Sequence, residues 1–379
     1  MKRFGCYALS AALALSLCAC SKSDGTAGGE TGSGSSFVEV PDPFADESSS
    51  KTESSVTVSE VGDGYDDLRT ENPELFTEDY IDYMKRSNSG VGWDNWQFKA
   101  NGKDCGGDSS VTYSGGEMEI SFSATSYTEA SERSDGYMVF IGGTPQIVAL
   151  NGSEPSIMVT DAGKDGETKE CKITFTPRLT KENIDNKDDL RMTIINIANP
   201  LYLTAGSVEK FDYEHSIAVA SQRTFKLEGD CEITELVSDR SFEHFSEAET
   251  TVRKYMRDSL SRLEEKDEVC FELYSTEKVG KPVIKDGKAD IALLLYGGRQ
   301  TNATYKVYFY VNHEPEKVDG CDYITAELKE GFVAKYTMTI DGLKERDFVY
   351  AIAVSEADAN LSRSLWAMKT DTRRLFASD

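Results

Sequence analysis

The sequence predicts a mainly β protein: two antiparallel β-sandwich domains with one or two short helices, following a disordered polar tether. Three observations predict it. Apolar residues recur at every second position, as in Met118, Ile120, Phe122 and Ala124 set against Glu119, Ser121 and Ser123, which is the pattern of a half-buried strand. Turn formers such as Gly142-Gly143-Thr144-Pro145, Asn151-Gly152 and Asp165-Gly166 separate these runs at short intervals. Helical spacing is confined to two stretches, near 65–88 and 246–263, too little for helices alternating with the strands of a parallel sheet.

At the start of the chain, Lys2 and Arg3 precede an apolar run from Ala8 to Leu17, and a Gly- and Ser-rich stretch follows. That is the layout of a secretory signal, and the run is shorter than the ~20 residues that span a bilayer. Leu17-Cys18-Ala19-Cys20 resembles a bacterial lipobox. The resemblance implies cleavage between Ala19 and Cys20 and a diacylglyceryl group on Cys20. The rest would then be an extracytoplasmic passenger whose first partner is membrane lipid. Each buried acyl methylene contributes about 0.8 kcal/mol, so two chains hold where one only visits. Ordinary cleavage that leaves Cys20 a plain thiol is the alternative. Residues 1–19 are thus read as the signal and 20–60 as a tether, since SKSDGTAGGETGSGSS and DESSSKTESS lack the apolar residues to bury a core. A coil of that length averages roughly 35 Å end to end.

The remainder, about 320 residues, is long enough for two domains. The full sequence is 39% hydrophobic and 10% aromatic, which supports real cores. The net charge of -25 excludes a basic nucleic-acid footprint and argues against docking of the folded part on anionic lipid. Of eight cysteines, Cys6 and Cys18 leave with the signal and Cys20 is the lipidation site. Cys105, Cys171, Cys231, Cys270 and Cys321 remain, too sparse for a dense disulfide framework. No CxxC or Cys/His cluster suggests zinc, and no cofactor is expected.

Residues 61–226 read as a helix followed by the first sandwich. Asn72-Pro73-Glu74 opens the helix, and Leu75, Phe76, Tyr80, Tyr83 and Met84 follow at near-helical spacing with Lys85 and Arg86 at its end. Trp93 and Trp96 are expected to seal the helix–sandwich junction, with a ligand platform as the alternative. Strands then run through Met118–Ala124, Tyr137–Ile141, Cys171–Phe175 and Leu190–Ile197. Cys171 lies in phase with Ile173 and Phe175 and should be a small buried hydrophobe.

Residues 227–266 read as a helical junction. Ser246-Glu-Ala-Glu249 resembles a capping box, and Val252, Tyr255, Met256, Leu260 and Leu263 form an apolar stripe behind it. Residues 267–379 read as the second sandwich, with strands at Val269–Tyr274, Ala289–Tyr296, Tyr305–Val311, Ala334–Ile340 and Phe348–Val354. Tyr336 to Leu343 and then Phe348 to Val354 resemble the later half of a fibronectin type III domain. The resemblance implies an immunoglobulin-like module, although the turn before Phe348 lacks the family's proline and Phe348 stands where a tyrosine is usual.

Chemistry is sparsely signposted. The three histidines, His215, His244 and His313, form no HExxH, and no GxSxG elbow or GxxxxGK[ST] loop is present. Acidic turns at Asp161–Glu167 and Asp185–Asp189 lack the order of a calcium loop. The expectation is a non-enzyme. In Tyr305–Val311, the face Tyr305, Val307, Phe309 and Val311 should be core. The other face sets Lys306, Tyr308, Tyr310 and Asn312 as an exposed aromatic ladder, a candidate to stack on a sugar or peptide. Cross-strand pairing or cover by the 246–263 helix is the structural alternative. On the exposed reading, removing Tyr308 and Tyr310 would abolish glycan binding without lowering the melting temperature. The class expected is a lipid-anchored surface protein of binding, adhesion or scaffolding type, its partner a cell-envelope glycan or protein. A solute-binding lipoprotein and a β-scaffold hydrolase are the alternatives.

Overall fold

Strands form where the period-two runs lie. In the computed structural model, residues 77–377 are described apart from 88, 94–97, 106–109, 132, 210–212, 214, 247–268, 277–280, 298–302, 330–331, 357–360 and 362. The signal, Cys20, the tether, Asn72-Pro73, Trp96 and the 246–263 helix therefore lie outside the described residues, save Ser246. The described part opens with α1 (Glu78–Ser87), whose first turn is acidic and last turn basic, as the helix dipole favours.

The first sandwich contains β1 (Gly90–Trp93), β2 (Val111–Tyr113), β3 (Met118–Tyr127), β4 (Arg133–Ile141), β5 (Val159–Gly163), β6 (Thr168–Phe175), β7 (Arg191–Ala198) and β8 (Ile217–Leu227). One sheet is built on the antiparallel pair β3–β6, with β1 and Lys99–Ala100 also on β3. The facing sheet runs β2-β8-β7-β4, with β5 on the far edge of β4 and β2 parallel to β8. Between them lies a core that includes Met118, Ile120, Phe122, Tyr137, Val139, Cys171, Ile173, Met192 and Ile194. Cys171 is buried there, as its phase requires. Trp93 on β1 is half-buried and packs 5.0 Å from the Phe122 ring, so it closes the side of the sandwich.

The second sandwich contains β9 (Glu243–Ser246), β10 (Val269–Ser275), β11 (Ala289–Gly297), β12 (Ala303–Val311), β13 (Glu314–Glu316), β14 (Ile324–Leu328), β15 (Phe332–Ile340), β16 (Phe348–Ser355) and β17 (Ala367–Lys369). One sheet runs β9-β15-β11-β10 and the other β13-β12-β16-β17, with β14 also on β12. Its core takes Leu293, Leu295, Tyr305, Val307, Phe309, Val349, Ala351 and Ala353. Phe242, just before β9, is part of that core, so the second sandwich recruits residues upstream of 267.

All described residues fall within one compact unit, Val61–Asp379, because the sandwiches are packed face to face. The outer side of the β4–β7 sheet meets the outer side of the β12–β16 sheet, through a third cluster that includes Met138, Phe140, Ile195, Ile197, Tyr308, Tyr310, Tyr350, Ile352 and Val354. Four sheets thus stack with three apolar layers between them. The central four strands are buried on both faces: every residue of β4 and of β16 is buried.

Candidate functional site: the seam between the sandwiches

The seam is built by strand alternation. On β4, Tyr137, Val139 and Ile141 point into the first core while Met138 and Phe140 point into the seam. On β12, Tyr305, Val307 and Phe309 fill the second core and leave Lys306, Tyr308 and Tyr310 on the opposite face. The phase expected from sequence therefore holds, and the exposure does not. Lys306, Tyr308 and Tyr310 are 1%, 2% and 0% exposed, so the open aromatic ladder is corrected to an internal contact surface. Its cover is the first sandwich. Tyr310 stands opposite Tyr350 in register and stacks on it with ring centroids 5.1 Å apart.

At one end of the seam the two-residue turn Gly142-Gly143, with φ of 53° and 73°, turns its carbonyls toward the second sandwich. Tyr308 OH donates to Gly143 O at 2.8 Å and Lys306 Nζ donates to Gly142 O at 3.3 Å. Asn183 Nδ2 donates to the same Gly142 oxygen at 3.0 Å. The buried ammonium also meets Glu356 at 3.0 Å and Glu182 at 3.7 Å. Two carboxylates and a carbonyl thus replace the water it lost, as a buried cation requires. Glu182 is carried by α2 (Lys181–Asp185), which starts at a Thr180–Asn183 capping box. Burial pushes the phenol pKa of both Tyr308 and Tyr310 upward, so neither ionises at neutral pH.

At the other end the segment 199–209 of the first sandwich is gripped from across the seam. His313 Nε2 donates to Pro200 O at 2.7 Å, and its Nδ1 meets Tyr350 OH at 2.9 Å. Arg374 Nη1 donates to Thr204 O at 2.7 Å and to Glu209 O at 3.0 Å. Arg374 and Arg346 both pair with the Glu209 carboxylate, at 3.1 and 2.8 Å. His215, within the first sandwich, donates from Nε2 to Tyr202 O at 2.7 Å. It lies 5.4 Å from the His313 ring, and both rings contact Phe348. His313 sits in the turn that follows β12, with φ of 69°, and bonds across the interface.

A separate surface groove of about 480 Å³ lies where the chain crosses onto the second sandwich, lined by Arg240, Ser241, Glu243, Phe245, Asp319, Lys335, Tyr336 and Thr337. Among the described residues β9 pairs with β15 only over Phe332–Lys335. The edge of β15 from Tyr336 onward therefore has no strand neighbour on that side among the described residues. Tyr336 OH donates to Asp319 Oδ2, and burial, aided by that carboxylate, raises its pKa. No sequence signal singled out this groove, because it joins residues nearly a hundred positions apart.

Elsewhere the carboxylates of the two acidic turns meet protein partners. Asp161 pairs with Lys169 and Asp185 with Lys181, and Asp165 accepts from the Thr128 amide. Among the described residues no three His, Cys, Asp or Glu gather to hold a metal. Cys105, Cys171, Cys231, Cys270 and Cys321 are free thiols.

No protein-family model matches the chain, and no curated protein matches it. Among solved structures it is similar to a GH2 β-galacturonidase from Eisenbergiella tayi bound to glycerol, at 10% identity and a TM-score of 0.17. That match covers 70% of this chain and 36% of the galacturonidase, so this chain spans about a third of that enzyme's length. It is also similar to a bacterial adhesin from Mobiluncus mulieris containing intramolecular disulfide, isopeptide and ester cross-links, at 9% identity and a TM-score of 0.20, over 76% of this chain and 94% of the adhesin.

Proposed function

We propose that the protein is a lipid-anchored, extracytoplasmic bacterial protein whose joined sandwiches bind or scaffold without catalysis. The observation that carries this reading is the seam. By burying the outer faces of two sheets against each other, it makes one stiff body and leaves recognition to loops and sheet edges. The groove beside β15 is the recognition surface in this reading: it combines the aromatic rings of Phe245 and Tyr336 with Arg240, Lys335, Glu243 and Asp319, a mixture suited to a polar glycan or peptide. Attachment rests on Leu17-Cys18-Ala19-Cys20. An immunoglobulin-like reading of the second sandwich draws support from its order β10-β11-β15 in one sheet and β12-β16-β17 in the other. A solute-binding lipoprotein would need helices and strands alternating around a cleft, which this stack of antiparallel sheets does not offer.

Two experiments test the proposal. Fatty-acid probe labelling of expressing cells should mark the wild type and not Cys20→Ala; equal labelling of the variant removes the anchor. On an array of cell-envelope glycans and peptides, Arg240→Ala with Lys335→Ala, two groove cations outside the core, should lose the signal while the melting temperature shifts little. Binding that survives both changes moves the site elsewhere.

A further inference from the structure

The two buried histidines of the seam mark it as the acid-labile joint of the molecule, and we propose that it is a pH-sensitive latch: protonation of His215 and His313 releases the first sandwich from the second while each sandwich keeps its own core.

The geometry fixes the charge state. Nε2 of each ring faces a backbone carbonyl, Tyr202 O and Pro200 O, both at 2.7 Å. A carbonyl only accepts, so each Nε2 carries a hydrogen and each neutral ring leaves Nδ1 as the bare nitrogen. His215 Nδ1 is buried and has no hydrogen-bond partner. A second proton there would create a buried donor with nothing to receive it. His313 Nδ1 faces Tyr350 OH at 2.9 Å. It is the acceptor for that hydroxyl, and Tyr350 is fully buried. Protonating Nδ1 would turn the hydroxyl around and strand its hydrogen.

The surroundings give the cation no help. His313 faces Phe348 and Tyr350 from β16, Pro200 O from the first sandwich, and His215. His215 faces Tyr213, Phe348 and His313. The charged group of β17, Lys369, lies over the Tyr350 ring at 4.4 Å and repels a proton on either imidazole. Arg374 lies over the other neighbour, Tyr213, at 5.7 Å, and its carboxylate partner Glu209 is shared with Arg346. Asp347, near Phe348, accepts from Asn312, and Glu314 adjoins His313 in β13. Among the described residues no carboxylate is hydrogen-bonded to either ring. Burial, ahead of these charges, lowers both pKa values, that of His313 to about 4.

The direction follows from linkage. The closed seam holds neutral rings, whereas an open seam exposes them to water with an ordinary pKa of about 6.5. Above that pH neither form takes a proton and the seam is at full strength. As pH falls from about 6.5 toward 4 only the open form is protonated, so the equilibrium shifts toward opening, by about 30-fold at pH 5 for His313 alone. His215 adds in the same direction.

Hydroxyl-radical footprinting of the full chain between pH 7.5 and 5 tests the latch. Oxidation of the seam residues Met138, Tyr308 and Tyr310 should rise at least tenfold at pH 5, while the core residues Met192 and Phe309 stay protected. His313→Gln keeps an N–H for Pro200 O without titrating, and should cut that rise at least tenfold; His215→Gln should reduce it further. A seam that stays protected at pH 5, core residues that oxidise in parallel, or a His313→Gln variant with an undiminished acid response would each overturn the proposal.

Discussion

A Cβ on Gly142 would stand 2.4 Å from Asn183 Nδ2 and 2.8 Å from Leu190 Cδ2, at a φ of +53°. Gly142→Ala should therefore destabilise the protein by about 1–3 kcal/mol, from backbone strain and the displaced Asn183 amide, read as a lower urea midpoint. Tyr308→Phe keeps the ring and removes the donor to Gly143 O, so about 1 kcal/mol should be lost. The thiols give a different prediction. Cys171 is buried beside Tyr137 OH, and burial raises its pKa to about 11; Cys105 and Cys321 are also buried, whereas Cys231 and Cys270 are half-exposed. A thiol reagent at pH 8 should label Cys231 and Cys270 first and all five after unfolding without reductant. Fewer than five would reveal a bridge or a modification.

Among the elements, α2 shows how a five-residue helix serves the seam. Thr180→Ala removes the side chain that caps it and should cost about 1 kcal/mol, and it should also weaken the hold of Glu182 on Lys306. The strands show what was legible in sequence. Met118, Ile120, Phe122 and Ala124 alternate with polar residues and form the half-buried β3, and Gly142-Gly143 makes the tight turn its residues announce. The misplaced ladder had the right phase and the wrong environment. Alternation separates the two faces of β12, but cannot say that Tyr308 and Tyr310 would be covered by a sheet more than a hundred residues upstream. A signal of that cover was present in the partner strands. Gly136-Tyr137-Met138-Val139-Phe140-Ile141, Ile194-Ile195-Asn196-Ile197 and Phe348–Val354 are near-continuous apolar runs, the mark of strands buried on both faces. The groove left no such mark, since Arg240 and Asp319 meet only through the fold.

For the whole molecule, the seam should make unfolding cooperative across both sandwiches. One calorimetric transition is expected, and two well-separated ones would show that the sandwiches unfold apart. Tyr308→Ala with Tyr310→Ala should lower the melting temperature markedly, each buried ring being worth about 3–5 kcal/mol, in contrast to the neutral effect expected of an exposed ladder.

Phe242 and β9 precede residue 267, yet they fill the core and edge the sheet of the second sandwich. Heredity must therefore treat them as one piece with it. A transplant that begins at 267 would arrive with a hollow where the phenyl ring belongs and a raw margin along β15, whereas one begun ahead of Arg240 would keep both and lack only the first sandwich's cover over Tyr308, Tyr310 and Tyr350.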